Sequence, residues 1–511
     1  DPPRTDRSGG GGGGGPTTKE GAGGEVYGTI FVIEESPHDA RTLYVGTDDG
    51  LVQLTRDGGA TWTNVTPPAA GDGLVNELEV SPHDAATVYV SFRKDRVGDP
   101  APYIYRSADY GKTWTLLVNG LRAGEPVRVV REDPERKGLL FAGTETGVYV
   151  SLDGGARWQA FSGNLPVVPV TDLEVRHGDL VASTEGRAFW ILDDLSVIRQ
   201  HAEAVASANV HLFTPRTALL LASGGGFGGF GGGPMVGRNP PSGAVVHYRL
   251  ASAPDSATTV RLEFLDSKGA VVRSYSNKEG TGPARLAPKA VYNMFAWDLR
   301  RPAPTQLPGV LLFGAPSAGA RVLPGTYTVR LTVGSTTQSQ TFEVQQDPRR
   351  VTPVAQLAAR DSVANLLVSR IGEIHDAVNR VRDLKTQVQG FVTRTKDSDS
   401  AKAIATMGGT ITKKLETVDP KLTTKAQNGQ DIINYANGIN GQYGFLLGQL
   451  EGNPELTQGI RERLAALEKL WSALRNEVDT IENVDIAAFN KLLEAAKVDG
   501  VIGKKKAGTV M

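Results

Sequence analysis

Thr55-Arg56-Asp57-Gly58-Gly59-Ala60-Thr61-Trp62 is the stretch that decides the fold, because its pattern occurs three times in the first third of the chain. The shared pattern is Ser/Thr-x-Asp-x-Gly-x-x-Trp. Its copies are formed by Thr55, Asp57, Gly59 and Trp62, by Ser107, Asp109, Gly111 and Trp114, and by Ser151, Asp153, Gly155 and Trp158. The first two aspartates are 52 positions apart and the last two are 44 apart. This spacing predicts one four-stranded propeller blade per copy.

The chemistry of the motif predicts a structural role. An aspartate can accept hydrogen bonds from backbone N–H groups of its own turn, glycine takes the positive-φ position, and tryptophan packs the hairpin against its neighbours. A residue that is repeated in every blade cannot mark one unique site. We therefore interpret Asp57, Asp109 and Asp153 as structural rather than catalytic residues.

A second repeat runs in phase with the first. Ser36-Pro37-His38-Asp39 and Ser81-Pro82-His83-Asp84 each precede a short β-rich segment, and Asp133-Pro134 precedes a third. Each reads as a turn that leads into a strand and then a hairpin. A degenerate fourth unit, residues 183–194, lacks the Gly and Trp of the motif. The two repeats together predict about four blades.

The repeated motif resembles the Asp-box, or BNR repeat, of sialidases, sortilin-type receptors and two-propeller xyloglucanases. Residues 27–31, 45–50 and 189–194 are similar to a family of large bacterial exported proteins with sortilin-like propellers, often labelled glycosyl hydrolases on repeat content alone. The resemblance implies that this chain is the C-terminal part of a longer protein with further propeller repeats upstream. It also implies a secreted, periplasmic or cell-surface location in a bacterium.

Composition limits the classes of function. The chain has 511 residues, of which 40% are hydrophobic and 22% charged, which is typical of globular domains. A formal charge of −1 gives no electrostatic argument for nucleic acid or an anionic membrane as partner. The absence of cysteine excludes disulfides, thiolate metal sites and cysteine catalysis. The sequence contains no run of about 18 apolar residues, so it predicts no transmembrane segment.

Changes in composition and periodicity predict a multidomain protein that is mainly β and then α. A partial Asp-box β-propeller is followed by an immunoglobulin-like β-sandwich and a C-terminal helical bundle. The predicted segments are a Gly-rich flexible lead-in (1–25), propeller blades (26–214), a Gly/Pro-rich linker (215–243), a sandwich of the FlgD or immunoglobulin-like type (244–347), a helical bundle (348–500) and a tail (501–511).

The later segments are assigned by periodicity. Tyr327, Val329 and Leu331 alternate as on a half-buried strand. Apolar residues at helical spacing then predict two amphipathic helices; they are Leu367, Ile371, Ile374, Val378 and Val381, followed by Leu464, Leu467, Trp471, Leu474, Val478 and Ile481. Two further helices are predicted over residues 398–415 and 430–450. Asn453-Pro454-Glu455 predicts the start of the last helix, with Asn453 as its cap.

Catalytic and metal-binding patterns are mostly absent from the sequence. The seven histidines show no metal-ligand spacing, and nothing indicates a cofactor. The residues that break the repeat are the candidates for ligand binding: Glu185 and Arg187 in the degenerate unit, and Asp48 and Glu145 at equivalent hairpins. They could face a central pore or a cleft between propellers, or they could be solvated hairpin charges.

Three hypotheses about function remain open. The first is an exported binding or scaffold module for a protein, peptide or glycan. The second is a glycoside hydrolase of the sialidase or xyloglucanase kind, whose cleft is completed by an upstream propeller and contains paired, partly buried carboxyl groups. The third is a chain that remains assembled with its N-terminal propeller half or with another subunit, and it is compatible with either function.

Overall fold

The structure is a computed structural model that describes residues 28–221, 239–280, 285–307, 319–349, 351–423, 438–453 and 455–498. The chain divides into two compact units, Asp1–Ala206 and Ser207–Met511. The predicted lead-in (1–25), the tail (501–511) and most of the predicted linker lie outside the described residues.

Four antiparallel sheets, each built from consecutive strands, make up the described part of the first unit. The strands of the first two sheets are β1 (Ile30–Glu35), β2 (Leu43–Thr47), β3 (Val52–Thr55), β4 (Thr63–Asn64), β5 (Leu74–Val80), β6 (Val88–Arg93), β7 (Ile104–Ser107) and β8 (Thr115–Leu116). Those of the last two are β9 (Val127–Glu132), β10 (Leu140–Thr144), β11 (Val148–Ser151), β12 (Gln159–Ala160), β13 (Val170–Arg176), β14 (Asp179–Thr184) and β15 (Phe189–Leu192).

The first strands of successive sheets lie side by side, since β1 contacts β5, β5 contacts β9, and β9 contacts β13. This is the arrangement of inner strands around a propeller axis. The first unit is therefore a partial propeller-like fold, as the repeats predicted. The degenerate fourth unit forms a sheet of three strands, β13, β14 and β15, in the described part of the chain.

The repeated motif forms the turn between the third and fourth strands of each of the first three sheets. In the second copy, Ser107 Oγ accepts a hydrogen bond of 2.8 Å from the backbone N–H of Gly111 and donates one to Asp109. Asp109 Oδ1 in turn accepts from the N–H of Thr113 at 2.9 Å. Equivalent bonds occur in the other two copies. The serine and aspartate thus satisfy the N–H groups of a tight turn.

The tryptophans of the motif join one sheet to the preceding one. Trp114 Nε1 donates to the carbonyl oxygen of Val65 at 2.9 Å, and Trp158 Nε1 donates to that of Leu117 at 3.0 Å. Glycine permits close approach on the inner side: a Cβ on Gly143 would lie 2.6 Å from Val129 Cγ1 and 2.8 Å from Val170 Cγ1. The repeat therefore encodes contacts between sheets as well as turns within them.

Two sheets with one shared hydrophobic core begin the second unit. The three-stranded sheet has the order β16-β18-β21, and the five-stranded sheet has the order β17-β23-β22-β19-β20. The strands are β16 (Val210–Leu212), β17 (Ala218–Leu220), β18 (Ala244–Leu250), β19 (Val260–Leu265), β20 (Val271–Ser276), β21 (Val291–Trp297), β22 (Gly325–Val333) and β23 (Thr336–Gln346). Tyr327, Val329 and Leu331 are buried in this core, as their alternation predicted.

Strands β16 and β17 differ from the sequence-based division. Residues 210–212, which the repeats placed with the propeller, pair with β18, and residues 218–220, which composition placed in a linker, pair in parallel with β23. Each strand has only three residues and pairs with a distant partner, so local composition gave no strand signal.

Helices form the rest of the described second unit. They are α3 (Val354–Arg394), α4 (Ala401–Leu422), α5 (Ile439–Gly452), α6 (Gln458–Thr480) and α7 (Ala487–Ala495), with a π-helical segment over Ile481–Ile486. Two short helices precede β16: α1 (Ser196–Arg199) belongs to the first unit, and α2 (Glu203–Ser207) lies at the boundary between the units. The predicted stripe of α3 is buried throughout, from Leu367 to Val381. None of the described helices is long and apolar enough to cross a membrane.

The predicted start of the last long helix was wrong. Helix α6 begins at Gln458, and Thr457 is its N-cap, because the Thr457 side chain accepts a hydrogen bond from the N–H of Ile460. Asn453 instead follows the end of α5 and donates to the carbonyl oxygen of Gln449. Threonine is also a favoured cap, and here it lies closer to the first buried residue, Ile460.

Candidate functional site

Charged side chains from all four inner strands of the first unit meet at Arg131 on β9. Arg131 Nη1 lies 3.0 Å from Glu77 Oε1 and 3.2 Å from Glu79 Oε2, both on β5. Its Nη2 lies 3.1 Å from Asp172 on β13, and its Nε donates to the carbonyl oxygen of Leu173. Glu34 on β1 acts electrostatically on the same group. We call Glu34, Glu77, Glu79, Arg131 and Asp172 the inner acidic cluster.

Burial raises the pKa of several carboxyl groups in this cluster. Desolvation raises the pKa of Glu79 to about 8 and that of Glu34 to about 7, and in each case the attraction of Arg131 offsets only part of the shift. The pKa of Glu77 is raised for the same reason. One guanidinium cannot compensate four carboxyl groups, so some of these acids remain protonated near neutral pH. Asp172 keeps 54% of its side chain exposed and lies at the solvent side of the cluster.

A second ionic group lies on the same strand around Arg128. Arg128 Nε is 2.8 Å from Glu145 Oε1, and Arg128 Nη2 is 3.1 Å from Glu185 Oε2. Arg93, paired with Asp95 at 2.8 Å, is also 3.6 Å from Glu145. The backbone carbonyl of Arg128 accepts from Asn76 and Ser91 of the neighbouring sheet, which fixes the strand that carries both arginines.

The structure brings together two of the four candidate ligand-binding residues. Glu145 and Glu185 share Arg128, and the side chain of Glu185 is 64% exposed. Asp48 lies apart from them: its Oδ1 accepts from the backbone N–H groups of Gly28 and Thr29 at 2.7 and 2.9 Å. Arg187 has an exposed side chain, and its carbonyl oxygen accepts from Trp190 Nε1 at 3.0 Å.

Sequence reasoning missed the whole inner acidic cluster. One local signal was available, because Glu77-Leu78-Glu79 and Asp172-Leu173-Glu174 place acids at alternate positions of otherwise apolar strands. The convergence of these strands on Arg131 has no local signal. Within the described ranges, no group of three or more His, Asp or Glu side chains could hold a metal ion.

Comparison with known proteins gives partial similarities to solved structures. No family model matches the chain, and no curated protein matches it in sequence. Part of the chain is similar to solved β-propeller proteins. Among them are YCF48 bound to D1 peptide (18% identity, 32% of this chain, 51% of that chain, TM-score 0.27), a GH74 enzyme from Niastella koreensis (19%, 30%, 26%, 0.26) and YCF48 from Cyanidioschyzon merolae (19%, 33%, 53%, 0.26).

The chain thus spans about half the length of the YCF48 proteins and about a quarter of the GH74 enzyme. The similarity covers only about a third of this chain, and it does not distinguish a binding protein from an enzyme.

Proposed function

We propose that the first unit is a binding module whose inner acidic cluster receives a cationic segment of a protein or peptide. The observation that carries this proposal is the imbalance of charge around Arg131, where three carboxyl groups lie within 3.2 Å of one guanidinium and a fourth, on Glu34, interacts with it electrostatically. In this proposal the second unit is a scaffold, with its two sheets acting as an immunoglobulin-like brace. We also propose that the protein is located outside the cytoplasm, because its repeats resemble those of exported proteins.

Electrostatics supports a cationic ligand. An incoming Lys or Arg would give Glu77, Glu79 and Asp172 a second positive charge, which lowers the cost of ionising them together. Asp172 keeps 54% of its side chain exposed, so the cluster can be reached from solvent at this residue. A neutral glycan could donate hydrogen bonds to these acids but would not add the positive charge that their ionisation together requires.

The proposal predicts how affinity depends on peptide charge and on pH. Labelled peptides of equal length, one basic, one acidic and one neutral, are titrated with the intact chain and followed by fluorescence anisotropy. The basic peptide should bind most tightly. Its affinity should rise about two- to fivefold between pH 6 and 9, because Glu34 and Glu79 ionise in that interval.

Variants separate the cluster from general charge. Asp172→Asn should weaken the binding of the basic peptide, whereas Glu135→Gln, at an exposed acid outside the cluster, should leave its binding unchanged. Equal binding of the three peptides, or equal effects of the two substitutions, would rule out this binding surface.

A glycoside hydrolase is the second candidate, and the raised pKa values favour it. Retaining and inverting enzymes need one carboxyl group that is protonated near neutral pH and a second that is ionised. Glu34 and Glu79 fit the first role, and the more exposed Asp172 fits the second. Xyloglucan, sialosides and aryl glycosides are the substrates to test. Turnover that is lost in both Glu79→Gln and Asp172→Asn, but not in Glu135→Gln, would favour the enzyme over the binding module.

The partner in this proposal is a further propeller blade, supplied by an upstream half of the same protein or by another subunit. Trp114 and Trp158 donate to the preceding sheet, whereas Trp62, at the same position of the first copy, is 45% exposed. A Cβ on Gly111 or Gly155 would lie 2.6 Å from Val65 or Leu117, whereas for Gly59 the nearest such contact is Trp62, at 4.0 Å.

The internal repeat therefore defines the chemistry of this partner. At both repeated interfaces the preceding sheet presents Val65 or Leu117 directly after its fourth strand, with a free carbonyl lone pair for the tryptophan. Phe31 and Ile33 of β1, 55% and 62% exposed, extend the apolar area of the first sheet. The expected occupant is a blade with an aliphatic residue at that position.

Native mass spectrometry of the undigested protein tests the partner. A second polypeptide, with blades of the same repeat, should accompany the chain and dissociate in the Trp62→Ala variant but not in Trp190→Ala. A chain that travels alone, or as a dimer of itself, would contradict this part of the proposal without affecting the peptide-binding test.

A further inference from the structure

Four arginines lie together where the five-stranded sheet meets helices α3 and α5 in the second unit, and they differ in their partners. Arg300 makes a bidentate pair with Glu451, with N–O distances of 2.7 and 2.6 Å. Arg301 Nη1 lies 2.7 Å from Asp361. Arg360 instead donates through Nη2 to the carbonyl oxygen of Leu450, and Arg321 donates through Nη1 to that of Leu221.

Arg360 has an unused donor. Its Nε–H is buried and has no hydrogen-bond partner among the described residues. An unsatisfied buried donor is costly, and more so on a charged group. Burial lowers the pKa of Arg360 and also that of Arg321, where neighbouring Arg300 adds to the effect. This corner of the unit therefore favours additional negative charge.

A cavity of about 140 Å³ lies beside both arginines. Its apolar lining includes Leu220, Leu323, Leu357 and Leu450. The three acids that also line it are held by other arginines: Asp347 by Arg349, Asp361 by Arg301, and Glu451 by Arg300. The cavity thus combines an apolar wall with cationic groups at one side.

We propose that this cavity binds a small aliphatic carboxylate, with its carboxylate on Arg360 and its hydrocarbon part against the leucines. The planar guanidinium of Arg360 suits a carboxylate. The carboxylate would accept the hydrogen bond that the Nε–H of Arg360 cannot make within the protein. The volume suits a branched chain of about five carbons, since small cavities of this size accept ligands of benzene size. The site is independent of the inner acidic cluster.

Isovalerate is the probe, with its neutral amide as the matched control. Saturation-transfer NMR on the intact chain should show binding of isovalerate with a Kd of about 1 mM, as is usual for ligands of this size. Isovaleramide has the same shape without the charge, and it should bind at least about tenfold more weakly. This comparison needs no variant, so it decides the proposal even if substitutions disturb folding.

Two substitutions on α3 locate the site. Arg360→Gln should reduce the affinity for isovalerate about tenfold or more, whereas Arg382→Gln, at a partly exposed arginine paired with Asp419, should not change this affinity. Circular dichroism confirms that both variants are folded. Equal binding of acid and amide, no saturable binding, unchanged affinity in a folded Arg360→Gln variant, or tighter binding of inorganic phosphate would each overturn the proposal.

Discussion

The side-chain amide of Asn440 on α5 donates a hydrogen bond of 3.2 Å to Nε2 of His375 on α3, and both residues are buried. The other ring nitrogen of His375, Nδ1, donates to the carbonyl oxygen of Thr305. The Thr305 carbonyl requires a proton on Nδ1, and the N–H of Asn440 requires a lone pair on Nε2, so the ring is neutral. A second proton on Nε2 would face the N–H donors of Asn440.

We expect this pair to make the helices of the second unit sensitive to acid. Burial lowers the pKa of His375, although the Thr305 carbonyl and Asp376 act in the opposite direction. Because the folded pKa is lower than the unfolded one, the neutral ring stabilises the fold above the unfolded pKa of 6.5, and this stability is lost as pH falls below that value. Hydrogen exchange of α3 and α5 should therefore accelerate between pH 7.5 and 5.5, after correction for intrinsic rates.

The His375→Gln variant cannot be protonated and should lose most of this acid sensitivity, whereas His177→Gln, at an exposed histidine, should retain it. If His375→Gln kept the full pH dependence, another group would be responsible.

Two adjacent glycines of α4 provide a matched pair for a packing prediction. A Cβ on Gly408 would lie 2.5 Å from Val392 Cγ2, whereas a Cβ on Gly409 would meet nothing within 4 Å. Gly408→Ala should reduce the free energy of unfolding by about 1–3 kcal/mol through overpacking. Gly409→Ala should increase it by about 0.5–1 kcal/mol, because alanine is the better helix former. Urea denaturation followed by circular dichroism measures both, and changes of the same sign would contradict the packing described here.

Removal of the cation at the centre of the inner acidic cluster should destabilise the first unit in a pH-dependent way. In Arg131→Met, Glu77, Glu79 and Asp172 lose their shared partner, at a cost of about 3–5 kcal/mol. The carboxyl groups can be protonated, so the loss should be larger at pH 8 than at pH 5. The measurement is hydrogen exchange of β5 and β9 at both pH values, with Arg176→Met as the control at an exposed arginine. A loss that is greatest at pH 5 would mean that Arg131 does not act through these acids.

The buried serine of the repeated motif should contribute to the stability of the first unit. Ser107 is buried, and its Oγ satisfies the N–H of Gly111. Ser107→Ala leaves this N–H without its partner and should cost about 1–2 kcal/mol of stability, measured as loss of hydrogen-exchange protection in β7. Thr63→Ala, at an exposed position of β4, is the comparison. Equal effects of the two substitutions would argue against a structural role for the motif.

The sequence predicted what local patterns determine. The motif around Trp114 predicted a propeller-like sheet because its hydrogen bonds span only a few residues, and the spacing of Ile371 and Val378 predicted the buried face of α3. The predicted start of α6 was wrong because two residues that favour helix capping, Asn453 and Thr457, lie close together, and only packing selects between them.

The candidate site was predictable only in part, for a related reason. Glu145 and Glu185 were identified as breaks in the repeat, but Arg128, which joins them, is 57 positions from Glu185. Arg131 is 54 positions from Glu77 and 41 from Asp172. Contacts at such distances depend on which strands lie side by side, and no periodicity within one strand contains that information.

The parallel pairing of β17 with β23 has a consequence for protein synthesis. Ala218 lies opposite Val344, and the backbone N–H of Leu212 donates to Gln338, which is 126 positions later in the chain. Ribosomes add about 5–20 residues per second, so these early strands wait about 6–25 s for their partners. Each sheet of the first unit, built from consecutive strands, can close while the next is being made. The strands around Ala218 therefore stay unpaired on a nascent chain for longer than the strands of the first unit do.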